Sequence, residues 1–106
     1  MKQTEVEGIV RGVIARHLNA DSSYVFLFGS RASGGGRPAS DYDIGLYQGT
    51  KIPWMIMARI KDELENYLIP VDIDLVDFAA VSQEFKRSAI QHIQIWNRPK
   101  NDLKLI

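Results

Sequence analysis

Leu27-Phe28-Gly29-Ser30 and, after ten further residues, Asp41-Tyr42-Asp43-Ile44 decide how this chain reads. A hydrophobic run, Tyr24-Val25-Phe26-Leu27-Phe28, ends in Gly-Ser. Three consecutive glycines follow, Gly34-Gly35-Gly36, and then two aspartates one residue apart open a second apolar run. The first run is continuous and aromatic, the pattern of a strand buried on both faces. The second, Asp41 to Tyr47, reads as a strand, and alternation puts Asp41 and Asp43 on one face of it. Gly-Ser after a buried strand offers backbone N–H groups to an anion, and glycine lets the backbone come close. Two carboxylates beside such a cradle suggest Mg²⁺ and a nucleotide.

Each half also has an ordinary structural explanation. Gly29-Ser30 can be a tight strand-to-helix turn, with Ser30 capping a short helix. An Asp-x-Asp can sit in a surface turn or cap a helix. A third feature adds weight: Asp72 and Asp74 in Val71-Asp72-Ile73-Asp74-Leu75-Val76 share one face of a further strand, and acidic residues are depleted in strand interiors. They supply a third metal ligand or line a solvated strand face. Asp77, just past that strand, reads as a cap.

Around these motifs the elements alternate. Val6, Ile9, Val10, Val13, Ile14 and Leu18 recur at helical spacing, so residues 3–19 read as an amphipathic helix, with Asn19 to Ser23 as its turn. Pro53 suits a first helical turn, and Met57, Ile60, Leu64, Tyr67 and Leu68 extend a helix over 53–68. Ser82 is an N-cap for a last helix, whose face carries Phe85, Ala89, His92, Ile93 and Trp96 until Asn97-Arg98-Pro99 stops it. The tail 100–106 is expected to fray or to dock on a partner. The fold class is α+β, α/β-like: a small mixed sheet of three or four strands covered by helices, with the second and third strands neighbours in space.

Composition sets limits. The 106 residues suit one domain, 1–106, and a hydrophobic share of 45% allows a core. Net charge is zero, so no basic excess points to nucleic acid as the main partner. Cysteine is absent, which removes disulfides and thiolate chemistry and fits a cytoplasmic protein. No signal peptide and no apolar run of membrane-spanning length is present, so no membrane association is expected. His17 and His92 read as packed or surface side chains rather than ligands. Arg31 and Arg37 flank the glycines and can meet phosphate or face solvent. Trp54, Met55 and Met57 fit a core or an exposed patch. Ile90 and Ile95 lie off the main face of the last helix and suggest a second apolar surface suited to a protein partner.

The run Gly29-Ser30-Arg31-Ala32-x-Gly34-x-x-Arg37-x-x-Ser40-Asp41-x-Asp43-Ile44 resembles the signature of the minimal nucleotidyltransferases (MNT domains) of the DNA polymerase β superfamily. Asp74-Leu75-Val76-Asp77-Phe78 is similar to that family's third-carboxylate strand, and Phe85 with the final helix to its usual ending. The resemblance spans about residues 24–96. It departs in two places: the glycine run is richer than usual, and Asp72 adds a carboxylate beside Asp74.

The resemblance implies a polymerase-β-type fold and transfer of a nucleoside monophosphate from an NTP, ATP foremost, to a hydroxyl with release of pyrophosphate. It implies two Mg²⁺ ions held by Asp41, Asp43 and Asp74. It implies a phosphate cradle of Gly29 and Ser30, with Arg31 and Ser40 as further phosphate-binding candidates. Proteins of this kind are typically encoded with a helical HEPN-domain protein, a ribonuclease toxin to which the MNT protein is the antitoxin and whose tyrosine it can adenylylate. No second domain offers an acceptor site, so a partner protein or a homodimer would present the hydroxyl. Two other functions fit the same residues: an antitoxin that blocks a HEPN ribonuclease by contact alone, and the catalytic half of a small-molecule nucleotidyltransferase.

Overall fold

The computed structural model describes residues 1–35 and 40–106. Helix α1 (Gln3–Ala15) leads through a short 3-10 turn (Ala20–Ser22) into strand β1 (Tyr24–Phe28). Strand β2 (Tyr42–Tyr47), helix α2 (Trp54–Glu65), strand β3 (Ile73–Asp77), helix α3 (Gln83–Ala89) and strand β4 (Gln94–Asn97) follow. The sheet order is β3-β2-β1-β4. β1 runs antiparallel to β2 and to β4, while β2 and β3 are parallel. The expected mixed sheet and the pairing of the second and third strands are both present.

Alternation divides the sheet into two apolar faces. Val25 and Leu27 of β1, Tyr42, Ile44 and Leu46 of β2 and Leu75 of β3 pack under α1 and α2, meeting Val6, Val10, Val13, Ile14, Ile60 and Leu64. Tyr24, Phe26 and Phe28 point the other way, toward Phe78, the end of α3 and Leu105. Every residue of β1 is therefore buried, as its unbroken apolar run predicts. Phe26, Phe28, Phe78 and Phe85 form a chain of edge-on and tilted ring contacts, with Phe26 and Phe78 centroids 4.8 Å apart. Gly45 makes room for it, because a Cβ there would run into the Phe26 ring.

Four expectations need correction. The last helix ends at Ala89, and Gln94–Asn97 form β4 instead of continuing it. Ala89 and Ile93 face the aromatic cluster, Ile90 joins them there rather than forming a second apolar surface with the exposed Ile95, and Trp96 is buried under α1 and α2. A helix end followed by a short strand reproduced helical spacing by coincidence. The tail is not frayed: Lys100 N–H donates to Asp21 O, Tyr24 Oη donates to Leu103 O at 2.9 Å, and Leu105 is buried. The first two helices are shorter than expected, and Leu68 adopts φ 51° just beyond α2. Finally, Ser30 opens a turn rather than a helix among the described residues, closed by Ala32 and Ser33 N–H donating to Gly29 O.

Other local readings hold. Ser82 caps α3, its Oγ accepting from Phe85 N–H at 3.1 Å. Asp77 caps two segments: its carboxylate accepts from Ile52 N–H at 2.8 Å and Ala79 N–H at 3.0 Å. Trp54 and Met55 are exposed and Met57 is half-buried against the core. His17 meets Glu63 Oε1 at 2.9 Å, and Glu63 also binds the Arg16 guanidinium, tying α1 to α2. His92 is exposed on the surface.

Candidate active site

Three strand ends converge on the face that carries the aromatic cluster. Phe28 is the cross-strand partner of Asp43, so Gly29 leaves β1 directly beside that aspartate. Asp43 is in turn the register partner of Asp74 on parallel β3. Residues paired across a sheet project from the same face, so the order across the strand ends is Gly29, Asp43, Asp74. Asp41 lies two residues before Asp43, toward the same face.

Electrostatics report the same proximity. Asp43 is half-buried, while Asp41 and Asp74 are exposed. Loss of solvent pushes the Asp43 carboxyl above its ordinary value, and the negative charges of Asp74 and then Asp41 push it further. Asp72 stands apart from that group. It sits on the outer edge of the sheet, accepting Tyr42 N–H through its backbone oxygen at 2.9 Å and bordering a groove with Lys61, Glu65 and Leu68. Of Asp72 and Asp74, Asp74 is the register partner of Asp43. Among the described residues no three acidic or imidazole side chains converge tightly enough to form a ready-made metal cage.

Gly29 carries φ 76°, the left-handed region that favours glycine. A Cβ there would also overlap the Asp43 carboxylate and lie 3.0 Å from its Cγ. Backbone and carboxylate are thus packed against each other, which only glycine allows. Ser30 is exposed, and its carbonyl accepts from Gly35 N–H at 3.1 Å. Turns that expose successive N–H groups attract anions without needing a helix.

Arg31 and Ser40 are joined. Arg31 Nε donates to Ser40 O at 2.8 Å, and its guanidinium lies over the Tyr42 ring at 4.0 Å. The arginine clasps the two ends of the glycine-rich stretch. Sequence reasoning placed Arg31 near phosphate and missed this clasp, although Arg and Tyr flanking a glycine run are the residue types that make one. Arg37 lies outside the described residues. A cleft of about 350 Å³ adjoins Gly29 and is bordered by Phe28, Ser33, Phe85, Ser88 and His92.

Residues 15–101 match the family described as polymerase beta, nucleotidyltransferase, most of the chain. The chain belongs to that family. The family is the one described as nucleotidyltransferases. A Haemophilus influenzae protein named as a probable protein adenylyltransferase, MntA, is 29% identical over 62 residues, 58% of this chain. The alignment spans only 54% of that relative. A solved candidate minimal nucleotidyltransferase is 25% identical, with TM-score 0.66, covering 86% of this chain and 89% of that one. The same polymerase-β-like fold recurs in a Shewanella oneidensis MNT antitoxin complexed with its tri-AMPylated HEPN toxin, at 18% identity and TM-score 0.68, covering 90% of this chain and 71% of that one. It recurs too in a toxin–antitoxin complex with AMP-PNP, at 20% identity and TM-score 0.69, covering 85% and 71%.

Proposed function

We propose that this nucleotidyltransferase moves AMP from ATP to a hydroxyl of a partner protein, a HEPN-domain toxin whose antitoxin it is, in a Mg²⁺-dependent reaction. The observation that carries the reading is the register Phe28–Asp43–Asp74, which sets a glycine turn beside two carboxylates on adjacent strands. The relatives that share the fold, described as MNT antitoxins complexed with HEPN toxins, support the choice of partner.

The donor set suits Mg²⁺. Asp41, Asp43 and Asp74 offer only hard oxygens. Like-charge crowding that raises Asp43 is what a divalent cation relieves. These three residues would hold the metal, two ions in all, and the metal would supply charge neutralisation at the attacking and leaving oxygens. The chain's own groups do the rest. Gly29 and Ser30 present backbone N–H groups to the β- and γ-phosphates, with Arg31 and Ser40 shaping the far side of the cradle. The acceptor oxygen bonds to the α-phosphorus as the bond from that phosphorus to the β-phosphate bridge oxygen breaks. Pyrophosphate leaves, and the hydroxyl proton passes to solvent. Asp74, on the outer strand β3, would hold the ion that activates the acceptor hydroxyl.

Incubation with labelled ATP, Mg²⁺ and the helical protein encoded alongside tests the reading. Label should pass to the partner with the native chain and be lost with Asp41→Ala plus Asp43→Ala. No transfer with the native chain refutes it. A double variant that still neutralises the partner in cells would make the chain an antitoxin by binding alone.

A further inference from the structure

Leu68 stands just past Asn66, the residue that caps the end of α2, and among the described residues it is the one non-glycine with a positive φ, 51°. Leucine is strained in the left-handed region. Strain of this kind points to a functional surface when nothing in the fold offsets it. Burial does not offset it, because the side chain is 86% exposed. Tyr67 beside it is exposed as well. The chain then runs through Ile69-Pro70-Val71 into β3, and Ile69 and Val71 border two grooves. The first, of about 500 Å³, reaches from this ridge to Met1, Arg31 and Tyr42, so it ends on the clasp. The second, of about 430 Å³, reaches to Lys61, Glu65, Asp72 and Ile73. Both lie at the end of the sheet that carries the carboxylates: Ile73 is the register partner of Tyr42, and the next pair is Asp43 and Asp74. Leu68 and Asp74 are six positions apart, at most about 20 Å of chain. A protein contact of ordinary size, about 800 Å² on each side, spans that distance.

We propose that the ridge Leu68-Ile69-Pro70-Val71 and its two grooves are where the acceptor protein docks, seating apolar side chains astride Leu68 and a basic one against Asp72 and Glu65. The inference rests on the reading that the accepted hydroxyl belongs to another protein. Two observations select this occupant. A protein that brings a hydroxyl to Asp43 and Asp74 must cover this end of the sheet, and the ridge supplies exposed apolar surface there. The charges are the second. Glu65 and Asp72 are both exposed on the second groove against one lysine, Lys61, and the exposed Asp41 and Asp74 extend the same sign toward the site. A segment that carries basic residues beside its hydroxyl is attracted and oriented by that pattern. Asp72 then serves the partner, and Asp74 the metal.

Affinity for the helical protein encoded alongside, measured by calorimetry without ATP, tests the surface apart from the reaction. Leu68→Gly suits the backbone at φ 51° and removes the side chain. It should melt at or above the native temperature and bind at least about tenfold more weakly, which is ~1.4 kcal/mol. Leu68→Asn, which also tolerates that φ, covers the case in which glycine loosens the helix end, and should bind as weakly. Asp72→Lys should weaken binding too, and its loss should shrink in high salt. Trp54→Ala removes an exposed side chain at the other end of α2 and should bind like the native chain. With labelled ATP, Leu68→Gly should raise the KM for the partner and leave kcat unchanged at saturating partner. Tight binding by the native chain and weak binding by Leu68→Gly support the surface even if no label moves, a result that would refute the transfer alone. Leu68→Gly and Leu68→Asn binding like the native chain overturn the proposal, as does an equal loss with Trp54→Ala. So does a native chain with no affinity for that protein. A native chain that self-associates through Leu68 overturns it as well, giving the ridge to a second copy.

Discussion

Replacing Gly29 by alanine separates backbone strain from displacement of the Asp43 carboxylate, which is proposed to hold the metal. At φ 76° any side chain costs roughly 1–2 kcal/mol. At Gly29 the new methyl also overlaps the Asp43 carboxylate, and crowding of this kind adds about 1–3 kcal/mol unless the neighbour moves. Gly34 is the control. Its φ is 83°, but a Cβ there meets nothing within 4 Å among the described residues. Gly34→Ala should therefore carry strain alone and lower the melting temperature by roughly 4–16 °C, given about 4–8 °C per kcal/mol for a domain of this size. Nucleotide transfer should persist. Gly29→Ala should melt lower still, or match Gly34→Ala because Asp43 has swung aside. Either way transfer should fall on the order of 100-fold, the effect of misplacing a reacting group by about an ångström. In an Asp43→Ala background the Oδ2 and Cγ contacts vanish, leaving only Cβ at 3.2 Å. The stability cost of Gly29→Ala should then shrink toward that of Gly34→Ala. Differential scanning calorimetry with a transfer assay on the four variants checks this. A Gly29→Ala protein with native activity and the stability of Gly34→Ala would refute the packing of backbone on carboxylate.

Three further outcomes are expected. The raised Asp43 carboxyl binds its proton more tightly folded than unfolded, so its contribution is present below the ordinary carboxylate range and lost as pH rises through the folded value. Metal-free Asp43→Asn should accordingly melt above the native chain at neutral pH, converge with it in acid and lose transfer; thermal melts in chelator across pH check it. Glu63 behaves oppositely: the Arg16 guanidinium and then His17 hold its carboxyl low, so Glu63→Gln should melt below the native chain at neutral pH, with the gap closing as pH falls through the carboxylate range. Gly45→Ala drives a methyl into the Phe26 ring and should cost about 1–3 kcal/mol in urea unfolding while the secondary-structure spectrum is kept.

The strands that build the site were legible because their signals are local. A five-residue aromatic run and two Asp-containing alternations each mark a strand whatever surrounds them, and the pairing of Asp43 with Asp74 follows once β2 and β3 are parallel neighbours. Which aspartate lies beside Asp43 was not legible, since Asp72 and Asp74 share a face and only the register separates them. β4 was hidden because four residues cannot show a period of two strongly enough to override a helical spacing that continues past Ala89. The Arg31 clasp and the contact of Gly29 with Asp43 depend on tertiary approach, which no spacing in the chain records.

The clasp bears on how such sites can vary. Because Arg31 reaches across to Ser40 and rests on Tyr42, the spacing between the glycine turn and the aspartates is fixed at the two anchor points. Closing a longer loop over the same anchors costs only about 0.6 kcal/mol per doubling of its length. A peptide inserted between the anchors should therefore cost transfer less than Arg31→Ala, which removes the clasp itself.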